Sequence, residues 1–129
     1  MKRMLTAWLL AGLAAGAAST AAAENGPLYT GQPGELPVQV AMAYLAPDMG
    51  RDGQFEYARL RISQRSQPES FDRVSVSIQQ DGLLDDSVRA RRWSLQLIRG
   101  ADSRWYITRQ LAEQRCYRGP QGWQRKPCP

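Results

Sequence analysis

The sequence predicts an α+β fold in which one short N-terminal helix packs on a four-stranded antiparallel sheet, followed by an irregular C-terminal tail stapled by one disulfide. Three observations lead to this fold class. Apolar and polar residues alternate in four segments between residues 55 and 116, as in strands with one buried face. A helical pattern precedes these segments at residues 37–47, and the two cysteines of the chain both lie near its end.

The first 23 residues have the parts of a secretory signal peptide. Lys2 and Arg3 form a positive start, residues 5–17 are apolar and uncharged, and a run of small residues ends at Ala23. The apolar core is shorter than the ~20 residues of a spanning helix, which favours a cleaved signal over a retained anchor. We therefore expect general secretory export, cleavage after Ala23, and a periplasmic or secreted product.

Cleavage would leave residues 24–129, which suffice for one compact domain and are too few for two. The whole chain has 17 Lys and Arg residues against 12 Asp and Glu residues, a formal net charge of +5. Loss of Lys2 and Arg3 reduces this balance to 15 against 12, or +3. All the remaining cations except Lys126 are arginines.

Residues 24–36 are rich in glycine and proline and are predicted to be an extended leader. The single domain is predicted to cover residues 37–129. Pro37 suits the first turn of a helix, and the helix should end near Pro47. The side chains that could share one helical face are Val38, Ala41, Met42 and Leu45. Strand-like alternation is also present at Val38, Val40, Met42 and Tyr44, so the pattern favours a helix without excluding a strand.

The four predicted strands are residues 55–63, 71–79, 88–98 and 105–116. Asp81 and Gly82 indicate a hairpin connection between the second and the third. The side chains expected on one face are Ala58, Leu60 and Ile62; Val74, Val76 and Ile78; Arg91, Trp93, Leu95 and Leu97; and Trp105, Ile107 and Leu111. Because one face of such a sheet needs cover, the N-terminal helix is expected to lie on it.

Cys116 and Cys128 are predicted to form a disulfide, because thiols of exported chains tend to pair. Glycine and proline interrupt the intervening residues 117–127, which therefore cannot form a helix or a central strand. The bridge would hold this irregular tail against the sheet. A redox-active pair is the alternative, but such pairs usually have C-x-x-C spacing at a helix N-terminus.

The last third of the chain carries an ordered set of residues: Asp85-Asp86-Ser87-Val88-Arg89, Trp93, Trp105-x-Ile107, Arg115-Cys116-x-Arg118-Gly119, Trp123 and Cys128. This order and spacing resembles the tail of small exported bacterial proteins of uncharacterised function. The predicted helix and sheet also resemble the cystatin-like and NTF2-like outlines. Neither resemblance implies an activity, since fold alone does not carry function.

Several classes of chemistry are excluded or weakened by composition. The chain has no histidine, so a Ser-His-Asp triad, a Cys-His pair and the common histidine zinc sites are impossible. It has no phosphate-binding loop or dinucleotide fingerprint. The carboxylates Asp81, Asp85 and Asp86 could serve catalysis, calcium binding or turn capping, and we favour turn capping. We therefore predict no catalytic residue, no metal and no cofactor.

The one unusual enrichment in the exported chain is of arginines that lie close to aromatic residues in the sequence. Guanidinium groups bind carboxylates and phosphates and stack on rings. The predicted ligand-binding residues are Arg89, Arg91, Trp93, Arg118, Trp123 and Arg125. We expect a non-enzymatic envelope domain that binds a protein or an anionic polymer, with no nucleic acid as partner in that compartment. The alternatives are an inhibitor of an extracytoplasmic hydrolase and, less favoured, an enzyme that uses Asp81, Asp85 and Asp86.

Overall fold

The computed structural model describes residues 26–129; the predicted signal peptide and its cleavage site lie outside these described residues. A five-stranded antiparallel sheet dominates them, with the strand order β1-β7-β6-β5-β4, and a separate two-stranded sheet joins β2 to β3. None of the helices in residues 26–129 is long and apolar enough to cross a membrane. The elements are β1 (Tyr29–Thr30), α1 (Pro37–Met49), β2 (Gly50–Arg51), β3 (Gln54–Phe55), β4 (Tyr57–Gln67), β5 (Ser70–Leu83), β6 (Val88–Arg99) and β7 (Trp105–Cys116).

The predicted fold class, a single helix on a four-stranded sheet, is wrong. Residues 26–129 are mostly β and form seven strands in two sheets. The fifth strand of the main sheet is β1, which lies in the segment expected to be an extended leader and pairs with β7 at Tyr29↔Ile107. Two residues are too few to show alternation. The β2–β3 hairpin was missed for the same reason, because each of its strands has two residues.

Helix α1 begins as the sequence predicts and ends later. Pro37 occupies its first turn, and the Leu36 N–H donates to Gln39 Oε1 at 2.7 Å, which satisfies one donor at the helix start. The helix continues past Pro47 to Met49. Pro47 removes one intrahelical hydrogen bond, but it lies in the last turn, where little helix remains to be disrupted.

One face of the five-stranded sheet, here called the helix face, packs against α1. The residues buried between them are Val40, Ala41, Leu45, Val74, Val76, Ile78, Trp93, Leu95, Leu97, Trp105 and Ile107. A hydrogen bond from the Tyr44 hydroxyl to Gln110 Oε1 also ties the helix to β7. The backbone approach is close at Gly31, where an added Cβ would collide with the Val40 side chain. Glycine is therefore required where β1 passes the helix.

The helix covers the middle of the sheet and leaves its β4 edge bare. Ala58 and Ile62, expected to face the core, are exposed, and Ile62 keeps 43% of its surface in water. Only Leu60 of the predicted inward residues of this strand packs against the core. Since β4 is the edge of the sheet, alternation alone overstates its burial.

Because α1 covers the sheet unevenly, truncation of two side chains of the helix face should lower the free energy of unfolding by different amounts. Leu95→Ala should destabilise the protein by about 2–5 kcal/mol, because it opens a cavity in a fully buried site. Ile62→Ala should cost about 1 kcal/mol or less, because the edge strand already exposes this side chain. Urea unfolding of both variants measures the difference. Equal costs would contradict the uneven coverage.

Candidate functional site: an arginine cleft on the open face of the sheet

The face of the sheet opposite α1, here called the open face, carries a row of polar residues across four strands. Arg65 of β4 opposes Ser75 of β5. Ser75 opposes Gln96 of β6, which opposes Arg109 of β7. Neighbouring strands lie about 4.8 Å apart, so the backbones of Arg65 and Arg109, at the two ends of this row, are roughly 14 Å from each other. Short side chains form the floor between them, with the Ser75 hydroxyl donating to Gln96 Oε1 at 3.2 Å.

These residues form part of a cleft with a volume of about 770 Å³. Four of its lining side chains are the exposed arginines Arg65, Arg73, Arg109 and Arg125. None of the described lining residues is Asp or Glu. We call this site the arginine cleft. It presents positive charge above a floor of Ser75, Ser94 and Gln96, with Leu111 adding apolar surface.

Two other arginines of the open face are paired with carboxylates. Arg92 Nη2 lies 2.8 Å from Glu113 Oε1, and Arg61 Nε lies 3.8 Å from Asp81 Oδ2. Gln79 Nε2 also donates to both carboxylate oxygens of Asp81. The four arginines of the cleft have no such ion pair among the described residues, whose other pairs are Arg99–Asp72 and Arg104–Asp102. The cleft therefore presents four arginines that are not paired with a carboxylate.

The C-terminal tail supplies one of these arginines. Gln124 forms an isolated bridge with Gln114 at the outer edge of β7. Trp123 and Arg125 are the sequence neighbours of Gln124. Because side chains alternate along a strand-like segment, both point to the face opposite to that of Gln124. The Trp123 ring stacks on two guanidinium groups, with Arg92 at 4.2 Å and Arg115 at 4.6 Å from its centroid. Arg125 then reaches the cleft.

The disulfide predicted from the sequence is present and anchors this tail. It joins Cys116 at the end of β7 to Cys128, with a Cα–Cα distance of 5.4 Å. Two further contacts hold Gln124 in place: its Nε2 donates to Cys116 Sγ at 3.1 Å and to the Lys126 carbonyl at 3.3 Å. The position of Arg125 in the cleft thus depends on a short, cross-linked segment.

The six residues predicted to bind a ligand do not form one surface. Trp93 is 6% exposed and belongs to the core, while Arg91 shares its face and lines a second cleft. The remaining four are Arg89, exposed at a β-bulge; Arg118, exposed in the tail; Trp123, half-buried under two arginines; and Arg125, in the arginine cleft. Arg125 is the one residue of this set that the structure places in the arginine cleft.

Arg65, Arg73 and Arg109 were missed by the sequence reasoning. The first two flank a turn, and the alternation of β4 and β5 could have placed them on the polar face. Arg109 could not have been placed this way, because alternation groups it with Trp105 and Ile107 on the buried face. Thr108 is an extra residue, a bulge, between the pairs Leu97↔Ile107 and Gln96↔Arg109, and it turns Arg109 to the open face.

The carboxylates Asp81, Asp85 and Asp86 do not converge on one site. Asp81 lies in β5 and pairs with Arg61, whereas Asp86 is exposed in the connection before β6. Asp85 Oδ1 accepts the N–H groups of Ser87 and Val88, both at 2.7 Å. Both bonds lower the pKa of Asp85 below its ordinary value, and the bond from Val88 has the larger effect. No group of acidic or cysteine side chains within residues 26–129 is arranged to hold a metal ion.

No protein-family model, curated protein or solved structure matches the chain. The likeness of its last third to small exported bacterial proteins remains a prediction.

Breaking the disulfide should release the tail without unfolding the sheet. We expect Cys116→Ser to lower stability by about 2–4 kcal/mol, the range for closing a short loop, and to speed amide exchange in residues 117–129. Hydrogen exchange and urea unfolding measure the two effects, and reduced wild-type protein is the matched control. Global unfolding of the variant would show that the bridge also supports the core.

Asp85 should give stability an acid-dependent component. Its folded-state pKa is lowered, so the stabilisation is complete above the unfolded value of about 3.9 and is lost as pH falls through the lower folded value. Asp85→Asn keeps a weaker acceptor for the same N–H groups and does not titrate. The stability difference between wild type and this variant, measured by urea unfolding, should therefore shrink on acidification below about pH 4. A pH-independent difference would contradict this role.

Proposed function

We propose that the chain is a non-enzymatic binding domain of the cell envelope, periplasmic or secreted, that holds an anionic polymer in the arginine cleft. The observation that carries this proposal is the lining of the cleft. Arg65, Arg73, Arg109 and Arg125 gather there, and none of the described lining residues is a carboxylate. Like charges repel one another, so such a group is most stable when an anion lies between its members.

The chemistry of arginine fits phosphate or carboxylate groups. Its planar guanidinium presents donors in a fixed fork that matches both anions, and it stays charged at any physiological pH. The floor of the cleft adds hydroxyl groups from Ser75 and Ser94 and the amide of Gln96. These groups can donate to and accept from a hydroxylated backbone between its charged units.

Exposure favours a polymer over a small anion. The four arginines are all exposed, and an exposed charge contact contributes only about 0.2–1 kcal/mol. Useful affinity therefore needs several contacts at once, which a chain of repeated anionic units supplies. The row from Arg65 to Arg109 leaves roughly 14 Å between its ends, enough for a chain to lie between them.

The proposed compartment follows from the disulfide and from the predicted signal peptide. Disulfides persist in oxidising compartments, and Cys116–Cys128 is the bridge that holds Arg125 at the cleft. Outside the cytoplasm the available polyanions are phosphorylated or acidic envelope polymers, and nucleic acid is not the expected partner. The proposal therefore predicts selectivity for anionic over neutral polymers rather than for a base sequence.

The test uses oxidised residues 24–129 with polyphosphate, polygalacturonate and neutral dextran as probes, measured by calorimetry at low and physiological salt. We expect the two anionic polymers to bind and to weaken as salt rises, because screening reduces exposed charge contacts. The double substitution Arg73→Gln with Arg109→Gln should weaken binding by roughly two- to thirtyfold, from two exposed contacts.

The matched control is Arg104→Gln with Arg99→Gln, which removes the same charge from residues that lie outside the cleft and pair with Asp102 and Asp72. This control should bind like wild type. If it weakens binding as much as the cleft variant does, only net charge matters and the proposed site is wrong. Binding that does not respond to salt, or that includes dextran, would also contradict the proposal.

A further inference from the structure

A second cleft lies on the helix face of the sheet, between the end of α1, the β2–β3 hairpin and the strands β5 and β6. Its volume is about 740 Å³, within the range of about 300–1,000 Å³ typical of small-molecule sites. We call it the hairpin cleft. It is on the opposite side of the sheet from the arginine cleft, and nothing in the proposed function uses it.

Gln80 and Arg91 supply hydrogen-bond donors to the hairpin cleft, and the donor of Gln80 has no protein partner among the described residues. Gln80 lines it and is 2% exposed, and the buried Nε2 of its side chain has no hydrogen-bond acceptor within the described structure. An unsatisfied buried amide is destabilising and is rare in native proteins. Gln80 opposes Arg91 across the β5–β6 ladder, and Arg91 also lines the cleft. The guanidinium of Arg91 makes no ion pair within 4.0 Å among the described residues, whose pairs involve Arg61, Arg92, Arg99 and Arg104.

Large apolar side chains also line the hairpin cleft, beside its charged residues. Phe55 and Leu84 are 63% and 79% exposed, unusually high for such large apolar side chains, and Met49 and Leu83 lie beside them. The Phe55 ring also packs on Tyr57, with centroids 4.8 Å apart. This surface is suited to the apolar or aromatic part of a ligand whose polar end reaches in towards Gln80 and Arg91.

The hairpin that forms one wall has a defined shape. Asp52 and Gly53 both have positive φ, at 54° and 78°, the pattern of a tight two-residue hairpin turn. Its strands are joined by the pairs Gly50↔Phe55 and Arg51↔Gln54. The turn thereby holds Phe55 beside the cleft at the point where the chain leaves α1.

We infer that the hairpin cleft binds a small monocarboxylate with an apolar or aromatic body, with its carboxylate accepting hydrogen bonds from Gln80 and Arg91. The charged lining residues are Asp48, Glu56 and Asp85 against Arg51 and Arg91, so the lining as a whole disfavours anions and the attraction rests on the local donors of Gln80 and Arg91. A phosphate dianion would be repelled about twice as strongly as a monocarboxylate by this net negative lining. A neutral analogue would lose the charge-assisted bond to Arg91.

The experiment titrates oxidised residues 24–129 with hydrocinnamate and follows the backbone amide NMR signals. We expect saturable shifts in β5 and β6 around Gln80 and Arg91 and in the β2–β3 hairpin. Hydrocinnamyl alcohol and phenyl phosphate should each bind about tenfold more weakly, since the first has no charge and the second has too much.

Two variants test the donors separately. Gln80→Leu and Arg91→Met should each weaken hydrocinnamate binding about tenfold, and Gln80→Leu should also raise the urea midpoint, because it replaces an unpaired amide by an apolar side chain of similar size. Gln64→Leu is the matched control: it is exposed on β4, lines neither cleft and should bind like wild type.

Three results would overturn the inference. The first is a lack of saturable shifts with hydrocinnamate. The second is binding by both Gln80→Leu and Arg91→Met that equals wild type. The third is a set of shifts confined to Arg65, Arg73 and Arg109, which would place the carboxylate in the arginine cleft instead and leave the proposed polymer site intact.

Discussion

Helix α1 covers only one face of the five-stranded sheet, and most other features of the protein depend on this one-sided burial. The apolar side chains of β5, β6 and β7 that fill the core all lie under the helix. No second layer covers the open face in the described residues apart from the tail around Trp123. That face must therefore stay polar, which is why serine, glutamine and arginine can occupy it at little cost.

The distribution of charge on the open face divides it into two regions. Towards the disulfide end, Arg61 and Arg92 are neutralised by Asp81 and Glu113, and the tail lies over the strands. Towards the β4–β5 turn, the arginines of the cleft have no carboxylate among the described lining residues. The first region thus contains ion pairs, whereas the cleft presents four arginines with no carboxylate in its lining, and this contrast supports the proposed role of the cleft.

The two clefts differ in how exposed their binding groups are. The arginine cleft is open and depends on exposed cations, so its contacts are individually weak and sensitive to salt. The hairpin cleft places Gln80 deep in the structure next to Arg91, where a hydrogen bond to a ligand is worth more. A polymer site and a small-molecule site can therefore coexist on opposite faces without sharing a residue.

The sequence by itself determined that four long strands follow a helix starting at Pro37, and that Cys116 pairs with Cys128, because these signals are written in the residues themselves. It did not determine the strand ends: β5 runs through Asp81 and Gly82 to Leu83, where the sequence indicated a hairpin connection. Only the tertiary structure decided which strand pairs with β1 and which face receives Arg109. A two-residue strand has no pattern of its own, and one extra residue at Thr108 reverses every side chain that follows it. The arginine cleft was therefore invisible to a search for nearby arginines and aromatics: its four cations come from three strands and a tail, and only strand pairing brings them together.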